Sequence, residues 1–136
     1  MTLIEAPETI IFFAYGNDRK GLLLHNLISD SIESDLGLAR APFVKLYYGE
    51  TTALPVAVFS GTRHTAAVGE VYELRLDEKM ASVLEQMVQS GHNLSDVEVE
   101  VFIGGKIMAM VPTWQYEHGV AVPENNWLSP ERLRTW

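Results

Sequence analysis

TIIFFAYGNDRKGLLLH, residues 9–25, runs from an unbroken β-branched and aromatic segment into a Tyr-Gly corner, a polar pair and a leucine-rich stretch. An apolar run stopped by glycine predicts a strand over residues 9–15, covered on both faces and central in its sheet. Beyond the corner, Leu24, Leu27, Ile28 and Ile32 recur at helical spacing, which predicts a helix over residues 20–34. A strand that turns so sharply into a helix aims successive main-chain N–H groups past the helix's positive end, a cradle suited to a carboxylate. Alternatively, Gly16 only permits a tight turn.

Working outward, APFVKLYY (residues 41–48) and PVAVFSG (residues 55–61) read as short strands bordered by Pro and Gly. AAVGEVYELRL, residues 66–76, alternates with period two. Val68, Glu70, Tyr72 and Leu74 share one face, and Gly69, Val71, Glu73 and Arg75 the other. Asp77 is placed to cap a helix whose stripe is Met80, Val83, Leu84, Met87 and Val88, with Gly91 as the C′ residue. VEVEVFIGGKIMAMV, residues 97–111, predicts a hairpin with Gly104-Gly105 as a two-residue primed turn. The tail from Glu117 reads as loop until Ser129-Pro130-Glu131, where a short helix can start. Single helices between more numerous strands predict an α+β domain with a curled, mostly antiparallel sheet or small barrel. No GxGxxG follows the first strand, which argues against a dinucleotide-binding fold.

The chain, with 136 residues and 47% hydrophobic content, is long enough to bury a core as one domain, residues 1–136. Its net charge of −8 disfavours nucleic acid and anionic membranes as partners. With no cysteine and no HExxH spacing among four histidines, neither a metal nor an organic cofactor is implied. Cysteine-free composition suits the cytoplasm, and the short apolar run near the N-terminus resembles neither a membrane span nor a signal peptide. An acidic, strand-rich domain can pair through a sheet edge as a homodimer.

YGNDRKGLLLH resembles, without a gap, the YGTLxxGxxNH opening of the gamma-glutamylcyclotransferase-like (AIG2-like) superfamily, matching at Tyr15, Gly16, Gly21 and His25. VGEVYEL, residues 68–74, is similar to that family's GELYEL strand. APFVKLYYGE and PVAVFSG resemble the TAPxYRLYALPG and PGLVRV segments of a relative, the allophanate hydrolase C-terminal domain. Over residues 10–112 the resemblance implies a gamma-glutamylcyclotransferase-like small mixed β-barrel with flanking helices. It also implies that the Tyr15, Gly16, Asn17, Asp18 corner holds a substrate carboxylate. The substrate expected from the allophanate hydrolase layout is a small amide, ureido or N-carboxy compound.

In the cyclotransferases a glutamate of an LDxxEG motif moves the proton. Here LEQMVQ, residues 84–89, places Val88 at that position, and Glu85 points away from the stripe. Two other groups are candidate catalysts. Glu70, a carboxylate between Val68 and Tyr72, gains proton affinity from lost hydration unless a cation pairs with it; the alternative is a structural pair with Arg40 or Lys45, or with main-chain N–H groups. His25, at the motif's histidine, is either an acid/base or a structural ring. Asn17-Asp18 departs from the family pattern, and an ionised Asp18 repels an anion, so either the ligand differs or Asp18 turns outward. Three functions stay open: an amide- or ureido-directed enzyme, a cyclotransferase with an atypical acid/base, and a catalytically silent anion-binding module. Tyr47 and Tyr48 point to opposite faces, so at most one lines a cavity. Met80, Met87, Met108 and Met110 are expected in the core.

Overall fold

The computed structural model describes residues 8–16, 18–48, 55–59, 65–114 and 120–128. Its strands are β1 (Thr9–Ala14), β2 (Ile32–Pro42), β3 (Val44–Tyr48), β4 (Pro55–Phe59), β5 (Ala66–Arg75), β6 (Asn93–Val101) and β7 (Lys106–Thr113). A 3-10 turn at Leu23–His25 leads into the one-turn helix α1 (Asn26–Ser29), and the longer helix α2 spans Glu78–Gln89.

Five strands close a barrel in the order β1-β5-β2-β6-β7. All neighbours are antiparallel except at the seam, where β1 meets β7 in parallel through Phe12 and Met110. β1 therefore has a partner on each side, as its unbroken apolar run predicts. Alternate residues of every barrel strand point inward, Phe13, Ala39, Ala41, Ala67, Val71, Val99, Ala109 and Val111 among them. Alanine recurs there because five strands enclose little space, and Phe13 claims much of it. Gly69 is part of the same accommodation: a Cβ there would lie 2.4 Å from the Ala14 carbonyl oxygen and 2.6 Å from Cζ of Phe13. The outward faces of β1 and β5, with Phe12, Ala14, Tyr72 and Leu74, form a second core with Ile28, Met80 and Leu84. Helix α2 covers this wall.

The hairpin β3-β4 forms a separate two-stranded sheet. Its Val44, Leu46 and Ala57 pack into the barrel core. Residues 120–128, read from sequence as loop, are part of the architecture. Val122 and Trp127 are buried, and the Asn125 side chain accepts from Leu46 N–H at 2.5 Å and donates to Val44 C=O at 2.7 Å. The expected helix start at residues 129–131 lies outside the described residues.

Three expectations are corrected. The helix predicted over residues 20–34 reduces to the 3-10 turn and α1, and Ile32 begins an eleven-residue strand instead. A bulge between Asp35 and Gly37 explains why period-two reading missed that strand, because it breaks the register and puts the buried positions downstream at Ala39 and Ala41. In the β6-β7 hairpin the reversal centres on Phe102 and Ile103, with Gly104 N–H bonded to Val101 C=O, so the two glycines follow the turn. Third, Val88 and Met108 are more than half exposed and belong to neither core. The remaining α2 predictions hold: the Asp77 carboxylate accepts from Met80 N–H at 2.9 Å, and Gly91 has φ +105°.

Candidate functional site

The corner after β1 folds back on itself. Arg19 N–H bonds to Gly16 C=O at 3.0 Å, and Leu22 N–H to Arg19 C=O at 3.0 Å, giving two successive turns before the 3-10 segment. Gly16 lacks positive φ; its role is space, since a Cβ would sit 2.7 Å from Cγ of Pro55. Among the described residues, the cradle that the corner makes is already occupied by a side chain of its own. Asp18 turns inward, its Oδ1 accepting from Gly16 N–H at 3.1 Å, with its own main-chain N–H as a further donor.

This corner forms one wall of a cleft of about 340 Å³. Tyr15, Gly16, Asp18, Pro55 and Pro112 line that side; Leu24 and Leu27 stand at the 3-10 and α1 segment; Val83, Gln86, Met87 and Ser90 come from α2, followed by His92. The Tyr15 hydroxyl donates to Pro112 C=O at 2.6 Å, tying the corner to the end of β7. Burial, then the charge of Asp18, pushes the Tyr15 phenol up, so it stays protonated. Burial also lifts the Asp18 carboxyl, to about 6, with Glu70 adding to the rise while the two main-chain donors and His25 oppose it. His92 is held below its ordinary value by burial, against the contact of its Nδ1 with Met87 C=O at 3.1 Å. A carbonyl only accepts, so that Nδ1 carries the proton and Nε2 is the ring's acceptor. A second hollow of about 280 Å³, bordered by Val58, Phe59, Asn93, Ser95, Thr113 and Trp114, has no acid or base in its lining.

Glu70 and His25 stand behind the corner and do not line the cleft. The Glu70 carboxylate accepts from Arg19 Nε at 2.9 Å, Lys20 N–H at 2.7 Å and the Tyr72 hydroxyl at 2.7 Å. Burial favours its neutral form, but the Lys20 N–H, the Tyr72 hydroxyl and Arg19 outweigh burial and hold the carboxyl below its ordinary value. The cation that pairs with Glu70 is therefore Arg19, not Arg40 or Lys45. Arg19 is 3% exposed and also donates to Asn126 Oδ1 at 2.7 Å. His25 Nδ1 meets the Asp18 carbonyl at 2.9 Å, and its ring lies 5.6 Å from that of Tyr72. The two groups thus brace the corner from behind. Asn17 lies outside the described residues.

Of the predicted site residues, Tyr15, Gly16 and Asp18 share the cleft. The residues that sequence reasoning missed are Arg19, Gln86, Ser90, His92 and Asn126. Arg19 carried a signal, being a cation inside the motif whose corner Glu70 was expected to face. On α2 it is Val83, Gln86 and Met87, with Ser90 at its C-cap, that face the cleft, and Val88 does not line it. Glu85 is exposed and within 3.4 Å of Gln89 Nε2, as its angular position implies. Tyr47 packs on Val56, Val58 and Trp114, and Tyr48 lies beside Trp127, so neither lines the cleft. Among the described residues no cluster of three or more His, Asp or Glu is arranged to hold a metal, and no helix is long and apolar enough to cross a membrane.

Neither a comparison with protein-family models nor one with curated proteins returns a match. Solved structures do match. An AIG2-like protein of Mus musculus superposes with a TM-score of 0.66 at 18% identity, over 93% of this chain and 83% of that one. A gamma-glutamyl cyclotransferase gives 0.61 at 21% identity, over 94% and 86%. YkqA from Bacillus subtilis gives 0.72 at 23% identity, over 94% of this chain but 43% of that longer one. These comparisons lend no support to the closer allophanate hydrolase layout. With its five-stranded barrel, covering helix and Tyr-Gly corner, the chain has the gamma-glutamylcyclotransferase-like (AIG2-like) fold.

Proposed function

We propose that the protein is a small-molecule enzyme of cyclotransferase type in which Asp18 moves the proton. The observation that carries this reading is a carboxyl in the cleft wall whose proton affinity has been raised to about 6, where it exchanges a proton near neutral pH. In such a reaction Asp18 takes a proton from an ammonium group of the substrate. The freed amine attacks an amide carbonyl in the same molecule, and the new C–N bond closes a lactam. As the old C–N bond breaks, Asp18 returns its proton to the departing amine, and the second proton of the attacking nitrogen passes to solvent, so that a cationic substrate gives a neutral lactam, an amine and one proton. No water and no external reagent is consumed. Gln86, Ser90 and the His92 ring supply polar contacts for orienting the amide. Glu70 and His25 contribute by holding the corner, through Arg19, Lys20 N–H and the Asp18 carbonyl. An N-carboxy substrate fits less well, since its carboxylate would compete with that of Asp18 for Gly16 N–H.

The test is amine release from a panel of amides that carry an internal amine, γ-glutamyl anilide and 4-aminobutyryl anilide included. Asp18→Asn is expected to lower kcat/KM by about 100-fold or more, with Glu85→Gln unchanged. Turnover that survives Asp18→Asn overturns the role given to Asp18. A second reading, a catalytically silent binding module, is favoured by the absence of any α2 carboxylate from the cleft lining. It predicts ligand binding with no product from any amide.

A further inference from the structure

We infer that the cleft selects an alkylammonium group and rejects a carboxylate, so that its substrates are ω-aminoacyl amides with no carboxylate on the amine-bearing carbon. The inference deepens the cyclotransferase reading and rests on it for the word substrate; the ligand preference itself stands on geometry alone.

Three observations converge. First, among the described residues of the corner the main-chain donors are engaged, Gly16 N–H on Asp18 Oδ1 at 3.1 Å, Asp18 N–H on its own carboxylate, Arg19 N–H on Gly16 C=O and Lys20 N–H on Glu70. A guest carboxylate would have to displace a tethered one and then lie beside it. Second, Asp18 is the one carboxylate among the described cleft-lining residues, and no Lys or Arg accompanies it. Arg19, the nearest cation in sequence, is turned away into its pair with Glu70 and its bond to Asn126. An ionised carboxylate has about four acceptor positions, so bonds from two main-chain donors leave capacity for a guest N–H. Third, the rest of the lining is mostly apolar: Leu24, Leu27, Val83, Met87, Pro55 and Pro112. An alkyl chain can lie along that wall while its ammonium head meets Asp18.

The groups bearing on Asp18 set the pH range. Glu70 lies behind it and raises its proton affinity, His25 on the 3-10 segment lowers it, and Tyr15 stays a neutral phenol. His92, across the cleft after α2, is kept neutral by burial at neutral pH and gives an incoming cation no like charge to oppose. An ammonium is therefore held best above about pH 6, where Asp18 is ionised.

The charge-inverted pair n-hexylamine and hexanoate tests the preference directly, by calorimetry and thermal shift on the full chain. At pH 7.5 hexylamine is expected to bind at least tenfold more tightly than hexanoate, and its affinity to fall about tenfold by pH 5. Asp18→Asn should remove the preference, and Glu85→Gln should keep it. Leu27→Lys, which adds a cation at the cleft while keeping the aliphatic stem, should reverse it even if Asp18→Asn fails to fold. Equal affinity for the two probes, or a preference that survives Asp18→Asn, overturns the inference.

The activity arm compares 4-aminobutyryl anilide with γ-glutamyl anilide, which differ by one carboxylate. A preference of tenfold or more in kcat/KM for the former is expected. The converse preference overturns the inference while leaving the cyclotransferase reading in place. Hexylamine binding without turnover of either amide does the opposite.

Discussion

Asp18 binds its proton more tightly in the folded chain, at about 6, than in the unfolded chain, where an aspartate titrates at about 3.9. Its contribution to stability is therefore complete below about pH 4 and is lost as the pH rises through about 6. Asp18→Asn removes that dependence. Urea denaturation of wild type and variant between pH 4.5 and 7.5 should show the variant gaining relative stability with pH, by about 2 kcal/mol. Glu70 runs the other way: its folded value is depressed, so its stabilisation is present above the unfolded value and fades in acid. A carboxyl in the corner and one behind it thus pull the pH profile in opposite directions. Sequence reading set out the choice at Asp18 but not its outcome: the carboxyl turns in onto Gly16 N–H, in a corner that Pro55 abuts at Gly16 and that Pro112 ties down through the Tyr15 hydroxyl, both far along the chain. It named Glu70 and allowed for a main-chain N–H partner, which Lys20 supplies, but offered the wrong cations, since the register that brings residue 19 to residue 70 is a property of the folded barrel.

At the scale of elements, the barrel wall at β5 is set by what its neighbour leaves room for. Gly69 stands against the Ala14 carbonyl and the Phe13 ring, so Gly69→Ala forces β1 and β5 apart or drives Phe13 off its rotamer. A loss of about 1–3 kcal/mol is expected, measured as a lowered urea midpoint with an unchanged slope. Helix α2 and strands β1 and β5 were legible because their periodicities are unbroken and their caps are local. Strand β2 was not, since Leu24, Leu27, Ile28 and Ile32 mimic one helical face while the bulge before Gly37 scrambles alternation downstream. The glycines at the hairpin tip misled for a related reason: they close a turn that starts two residues earlier. Position 88 failed because spacing alone put it on the apolar stripe, whereas α2 is rotated so that Val83, Leu84 and Met87 pack and Val88 is exposed.

Across the whole molecule, the segment 120–128 ties together parts that the barrel alone leaves separate. Asn125 bonds both Leu46 and Val44 of β3, Asn126 holds Arg19, and Trp127 is buried beside Tyr48. Trp127→Ala should cost about 3–5 kcal/mol, read by denaturation, and should loosen the corner after β1 as well, seen as faster amide exchange at residues 18–20. Nothing in the composition of this stretch announces its burial. Its Pro and Asn residues read as loop, and only the folded core, where it joins Val44 and Leu46, gives Trp127 a place to go.

The parallel seam between β1 and β7 has a consequence for how the chain reaches this state. Its two edges come from near opposite ends of the described sequence, Phe12 and Met110, and no local turn can bring them together. Ring closure must wait until the last strand has been synthesised, and the corner after β1, whose Tyr15 hydroxyl is fastened to Pro112, is finished only then. Maturation of the cleft should accordingly be the slow phase of refolding, with the β6-β7 hairpin forming long before a ligand can find anywhere to bind.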